Sequence, residues 1–105
     1  MARFDIYSNP SQNQKKVPFL LDVQSNVISG LATRIVIPLR PLSIFSSINL
    51  PSDLFPIIAI GGVNYFLDTP QLGSIPLSEL KSKVGSARNQ QTEIQEALDR
   101  VFGAY

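Results

Sequence analysis

The side chains that most often carry catalysis are missing from this sequence. Its 105 residues include no histidine and no cysteine, so the commonest general base at neutral pH, the thiolate nucleophile and the usual zinc ligands are absent. The eight Asp and Glu residues form no recognisable catalytic pair, and Gly61-Gly62 lacks the spaced glycines and the lysine of a phosphate-binding loop. The sequence therefore favours a protein that acts by binding and not as an enzyme, with no metal and no cofactor.

The charge and the apolar segments narrow the possible partners. Nine Lys and Arg against eight Asp and Glu leave a formal charge of +1, which is too small to hold nucleic acid non-specifically. The longest apolar stretch, 54–63, is too short to cross a bilayer and is broken by Pro56. Residues 1–10 contain no apolar signal segment. We expect a cytoplasmic protein that forms one domain over residues 1–105 and contacts neither a membrane nor nucleic acid directly.

Most of the chain has the pattern of strands and turns. Alternating or continuous β-branched runs predict five regions of strand, and the pair Gly61-Gly62 predicts a hairpin turn because glycine adopts positive φ without steric cost. The predicted strands are a half-buried strand around Phe4 and Ile6, Val17–Gln24, Arg34–Leu39, the two arms of the hairpin within 56–69, and Ser74–Leu77. The run Arg34–Leu39 is continuously apolar after its first residue, which is typical of a strand buried on both faces.

The C-terminal segment has a different period. Residues 87–102 contain no Gly or Pro, and four apolar side chains recur at helical spacing: Ile94, Leu98, Val101 and Phe102. This pattern predicts a helix over Ala87–Phe102, with Ser86 as its N-cap and Gly103 at its C-cap. Several strands followed by one terminal helix predict a small β-dominated α+β domain.

Two apolar features are hard to explain by the stability of the fold alone. The chain ends on Phe102, Gly103, Ala104 and Tyr105, although termini are usually polar unless something holds them. Val27 and Ile28 lie in an otherwise polar turn. Both features are consistent either with local packing or with burial in a partner or a second copy of the chain.

Five short motifs in order resemble the CcdB family of toxins. They are Asp22-Val23-Gln24-Ser25 followed by Val27-Ile28, Arg34-Ile35-Val36-Ile37-Pro38-Leu39, Pro56-Ile57-Ile58-Ala59-Ile60, Ser74-Ile75-Pro76-Leu77, and Glu93-Ile94 with Ala97-Leu98. The resemblance implies a homodimer whose subunit has an SH3-like barrel, a small accessory sheet and one C-terminal helix. It implies a toxin that binds the A subunit of DNA gyrase, traps the cleaved gyrase–DNA complex and is neutralised by a cognate antitoxin. The family is not enzymatic.

The resemblance also assigns site residues. The gyrase contacts would be Val27, Ile28, Asp99, Phe102, Gly103, Ala104 and Tyr105. The register of the last four residues against the family's Phe-Trp-Gly-Ile ending is open by one position. The antitoxin would grip the segment 9–20, with Lys15, Lys16, Phe19 and Leu20 as contacts, and the lysines would suit an acidic, disordered antitoxin tail.

Two alternatives remain open at this point. The chain contains no tryptophan, whereas the family's ending has one, so this protein could be a relative that has lost poisoning and acts as a binding module or an antitoxin decoy. Alternatively, it could be an endoribonuclease toxin like MazF, with Arg34 or Arg40 near the RNA phosphate.

Overall fold

In the part of the chain that the structure describes, seven antiparallel strands form one curled sheet, and one α-helix packs on one of its faces. The computed structural model describes residues 2–11, 14–26, 30–43 and 50–103. The strands are β1 (Asp5–Ser8), β2 (Phe19–Asp22), β3 (Thr33–Pro41), β4 (Ile57–Ile60), β5 (Val63–Leu67), β6 (Gly73–Pro76) and β7 (Lys83–Ser86), and the helix is α1 (Gln91–Phe102). The predicted α+β class is confirmed.

The long strand β3 organises the sheet. The strand order is β4-β5-β3-β2-β1-β7, and β6 pairs with β3 outside this path. The first half of β3 pairs with β6, its last three residues pair with β5, and β2 lies along its other edge. Because β3 has nine residues, it is long enough to bind two strands in succession on one edge.

The middle of the sheet, formed by β1, β2 and the centre of β3, is buried on both faces. The larger core lies between the sheet and α1 and includes Leu21, Ile37 and Ile94, which are completely inaccessible to solvent. A smaller core on the opposite face is formed by Tyr7, Val17, Leu20, Val36 and Leu80. Adjacent residues of β3, Val36 and Ile37, thus belong to different cores, as its uninterrupted apolar sequence predicts.

The helix starts later than its sequence pattern predicts. Residues Arg88–Gln90 form a 3-10 turn, and α1 begins at Gln91. The Oγ of Ser86 accepts a hydrogen bond from the Arg88 N–H at 3.2 Å, but the N-cap of α1 is Gln90, so the prediction of Ser86 as N-cap was wrong. Gly103 adopts a left-handed φ of 72° and ends the helix as predicted. No helix in the described ranges has the length and the apolar character that crossing a membrane requires.

The strand predictions were accurate where the sequence carries a turn or an apolar run. The hairpin β4–β5 turns at Gly61 and Gly62, whose φ angles are 60° and 80°. β7 was missed because its sequence, KVGS, has neither an apolar run nor an alternating pattern. The prediction that β1 is a half-buried strand was wrong, since Asp5, Ile6 and Tyr7 are all buried. β1 lies between β2 and β7, and its side chains enter both cores, Ile6 the larger one and Tyr7 the smaller one.

Candidate functional site

The C-terminal end of α1 presents an exposed aromatic side chain beside an apolar groove. Phe102 is 71% exposed, whereas Ile94 and Leu98 on the same helix are buried, so the predicted apolar stripe leaves the core at its last residue. The groove has a volume of about 230 Å³ and is lined by Val23, Ile35, Leu72, Gln95, Leu98, Asp99 and Phe102. The structure thus places two predicted gyrase contacts, Asp99 and Phe102, at one groove, with Gly103 exposed directly after them.

Four further residues were predicted to contact gyrase on this face. Val27, Ile28, Ala104 and Tyr105 lie outside the described residues. Asn26, which precedes Val27 in the chain, is described and exposed.

A residue that sequence reasoning missed, Arg3, connects Asn26 to the helix. The backbone N–H of Arg3 donates to Oδ1 of Asn26 at 3.0 Å. Its side chain donates from Nε to the Val23 carbonyl at 3.0 Å and from Nη2 to Oε1 of Gln95 at 2.8 Å. Gln95 in turn donates from Nε2 to Oδ1 of Asp99 at 3.2 Å. No sequence signal indicated this chain of contacts, because Arg3 and Gln95 are 92 positions apart.

The next residue, Phe4, has a strained backbone. Its φ is 74°, in the left-handed region that non-glycine residues seldom adopt. The conformation lets the Phe4 side chain enter the larger core while the Arg3 guanidinium lies over its ring, 4.7 Å from the ring centre. Two backbone hydrogen bonds hold it, from the Phe4 N–H to the Asp22 carbonyl and from the Ala87 N–H to the Phe4 carbonyl.

Two other arginines, Arg34 and Arg40, have carboxylate partners within the fold. Arg34 donates from Nε and Nη2 to the two carboxylate oxygens of Asp22, both at 2.9 Å, and the two side chains are 2% and 0% exposed. Arg40 donates to Asp68 at 2.7 Å. A buried, paired guanidinium cannot reach an RNA phosphate, so Arg34 does not suit the role that the endoribonuclease alternative gives it, and the charge of Arg40 is largely neutralised.

Comparison with known protein families identifies the family of this chain. The model of the CcdB protein family matches residues 3–103. The chain belongs to the CcdB family. The match covers nearly the whole chain, so the predicted resemblance is confirmed, and with it the context of toxins in toxin–antitoxin systems.

Two solved structures share the fold of this CcdB-family chain. An endoribonuclease in complex with its cognate antitoxin, from a mycobacterial species, has a TM-score of 0.78 at 13% sequence identity, covering 100% of this chain and 97% of that one. An endoribonuclease from a mycobacterial species has a TM-score of 0.71 at 16% identity, covering 98% and 91%. At these identities the likeness concerns the fold alone.

The surface predicted to bind the antitoxin is only partly exposed. Lys15 and Lys16 are exposed and Phe19 is half-buried. Leu20 is 8% exposed and packs in the smaller core, so its predicted contact with the antitoxin is not supported by its position. Asn9 shapes the base of this loop, because its Nδ2 donates to the Val17 carbonyl at 2.7 Å. The lysines therefore project from a loop whose base is anchored in the sheet.

Beside this loop, Tyr7 lies in the smaller core among charged groups. Burial raises its pKa above the usual 10.0, and the nearby carboxylates of Asp5 and Asp22 raise it further, while Arg34 acts in the opposite direction. Asp5 also pairs with Lys83 at 3.3 Å. The phenol therefore stays protonated at neutral pH and serves the packing of the fold. The described residues contain no group of three or more side chains suited to a metal ion.

Proposed function

We propose that this CcdB-family protein is a toxin that binds the A subunit of DNA gyrase and traps the gyrase–DNA cleavage complex, and that a cognate antitoxin neutralises it in the cytoplasm. It acts by binding and is not an enzyme. The observation that carries the proposal is the exposed Phe102 beside Asp99 at the end of α1, where family members contact gyrase.

An exposed aromatic at this position is best explained by a partner. Leaving a phenylalanine ring in water forgoes about 2 kcal/mol of burial energy, and aromatic anchors next to apolar pockets commonly dominate the energy of protein interfaces. The chain has no tryptophan, so Phe102 would supply the aromatic area that the family's tryptophan supplies elsewhere.

The same groove supports a homodimer in which two C-terminal helices lie side by side. Ile35, which is 37% exposed on β3, and the half-buried Leu72 line this groove together with Phe102. A second copy of the chain would cover Ile35 and Leu72, while the two Phe102 side chains would lie close to the dimer axis and stay open to gyrase.

Charge supports the proposed antitoxin surface. Lys15 and Lys16 are exposed on the loop between β1 and β2, and acidic disordered segments bind such loops through electrostatic attraction and folding on binding.

The test is a cleavage assay with purified protein, gyrase, supercoiled DNA and ATP. Linear DNA after detergent and protease treatment is the expected result, and prior addition of the antitoxin is expected to prevent it. Phe102→Ala is expected to abolish gyrase binding with the fold intact. Val63→Ala, which trims another exposed apolar residue on the β4–β5 hairpin, is expected to give as much linear DNA as the wild type.

Two other results would overturn parts of the proposal. Binding to the A subunit without linear DNA would indicate a relative that docks but no longer poisons, and no binding at all would indicate a binding module or decoy. Normal gyrase binding by Phe102→Ala would contradict the assignment of the site.

An endoribonuclease remains the second candidate, because two proteins of the same fold carry that name. The pairing of Arg34 with Asp22 and of Arg40 with Asp68 leaves this candidate without the cations that the sequence offered for a phosphate. Incubation of the purified protein with single-stranded RNA tests this candidate. RNA cleavage that co-purifies with the protein would favour an endoribonuclease, and intact RNA would exclude it.

A further inference from the structure

The contacts of Arg3 join the two segments that carry the proposed gyrase face. One segment is the stretch that leads into Val27 and Ile28, and it is reached through Val23 and Asn26. The other is α1, which is reached through Gln95 and then Asp99. These segments are distant in sequence, and Arg3 contacts both.

The N-terminal turn is built to hold this arginine in place. The Ala2 N–H donates to Oδ2 of Asp5 at 3.0 Å, and the Asp5 N–H donates to the Ala2 carbonyl at 3.1 Å. Phe4, between them, accepts a left-handed φ, a conformation that costs on the order of 1 kcal/mol for a residue with a side chain. Strain of this kind persists only where the surroundings fix it, and here it directs Arg3 across the ring of Phe4 towards α1.

The geometry of the guanidinium matters as well as its charge. Arg3 donates from Nε to a backbone carbonyl and from Nη2 to a side-chain amide, which are two directions fixed by one planar group. Lysine has a single ammonium on a flexible stem and cannot reproduce this fork. Neither acceptor carries a charge, so the contact orients Gln95 and does not neutralise a carboxylate.

The amide of Gln95 passes the orientation on to Asp99. Because its Oε1 accepts from Arg3, its Nε2 must point along the helix, where it donates to Asp99 one turn later. Asp99 is half-buried at the edge of the groove that contains Phe102. Arg3 thus orients Gln95 and, through it, Asp99 at the edge of the groove.

We infer that Arg3 is a positioning residue of the partner-binding face, which holds residues 23–26 against α1 and orients Asp99 through Gln95. The inference rests on the proposed function in one respect, that the partner on this face is the gyrase A subunit. Arg3 need not touch gyrase itself.

The first measurement is the affinity of the full-length protein for the gyrase A subunit. Arg3→Ala and Gln95→Ala are each expected to weaken binding by about tenfold. Arg3→Lys is expected to bind little better than Arg3→Ala. The double variant Arg3→Ala/Gln95→Ala is expected to bind no more weakly than Arg3→Ala alone. Arg88→Ala is the matched control, because it removes the same charge from an exposed residue of the 3-10 turn before α1. The urea midpoint, measured for every variant, separates this role from a general loss of stability.

A second measurement does not depend on gyrase. In the ¹⁵N–¹H spectrum of the free protein, Arg3→Ala is expected to shift the amide signals of residues 23–26 and of residues 95–99 together, whereas Arg88→Ala leaves residues 23–26 unchanged. Shifts confined to residues 2–5 would overturn the inference.

The outcomes separate the inference from the proposed function. If the wild type binds gyrase and Arg3→Ala binds equally well, the positioning role is wrong and the function stands. If the wild type does not bind gyrase, the function is wrong, and the spectrum alone decides whether Arg3 joins the two segments.

Discussion

Arg3 and Arg34 have comparable numbers of hydrogen bonds in opposite environments. Arg34 is almost completely buried, and its partner is a carboxylate that is also buried. Arg3 is half-buried and binds a carbonyl and an amide near the surface. The environment determines what each arginine does. In the buried core, the ion pair of Arg34 with Asp22 fixes the alignment of β2 and β3. Near the surface, a guanidinium loses little hydration, so Arg3 can orient surface side chains for a partner.

The difference follows from the cost of removing charge from water. A buried ion pair gains little over an apolar pair of similar size, but removal of one partner leaves the other charge unpaired in a medium of low polarity. An exposed arginine leaves nothing unpaired when it is removed, because water replaces its contacts. Substitution of Arg34 should therefore lower the stability of the fold, whereas substitution of Arg3 should lower the affinity for a partner and change the stability little.

The largest effect is expected for Arg34→Met, which keeps the length of the side chain and removes its charge. Asp22 would be left buried without its partner, so the free energy of unfolding is expected to fall by about 3–5 kcal/mol. Urea denaturation followed by circular dichroism measures it. The double variant Arg34→Met/Asp22→Asn should regain a large part of the loss. A double variant as unstable as the single one would show that packing around Arg34 matters more than the ion pair.

A smaller effect, which depends on pH, is expected for Tyr7 in the same core. Between the ordinary pKa of 10.0 and the raised pKa of the folded protein, the native state holds a proton that the unfolded chain has lost. The wild type should therefore lose stability as the pH rises above about 10. Tyr7→Phe lacks this proton and the hydrogen bond to Asp5, so at pH 7 it should be less stable by about 1–3 kcal/mol.

Thermal unfolding of both proteins from pH 7 to pH 11 tests this expectation. The difference in stability between the wild type and Tyr7→Phe should narrow at the upper end of the range, whereas a constant difference would mean that the phenol does not titrate with a raised pKa.

The smallest effect on stability is expected for Arg3→Ala. Its side-chain contacts lie partly or fully exposed, so the free energy of unfolding should change by less than about 1 kcal/mol. The same urea denaturation as for Arg34→Met measures it. A loss of several kcal/mol would remove the contrast with Arg34, because Arg3 would then be a structural residue.

Local signals in the sequence predicted the local structure well. The hairpin β4–β5 follows from Gly61-Gly62, the end of α1 follows from Gly103, and the double burial of β3 follows from its apolar run. These features depend on the conformation of a few adjacent residues, which is why composition and spacing suffice to predict them.

Features that depend on tertiary contacts were missed or misassigned. Arg34 was considered for a phosphate, but its partner Asp22 is brought beside it only by the register in which β2 pairs with β3, with Asp22 opposite Val36. The contact between Arg3 and Gln95 needs the whole sheet to exist first. Likewise, β7 is a strand only because β1 offers it an edge.

The pairing of β1 with β7 has a consequence for synthesis. Asp5 lies opposite Ser86, so β1 leaves the ribosome about eighty residues before the strand that pairs with it. Until then β1 has an unsatisfied edge, and Ala87, which binds the carbonyl of Phe4, has not yet been made. The native sheet and the orientation of Arg3 are therefore completed only after β7 and α1 have emerged, and nascent chains that stop before β7 should not display the partner-binding face.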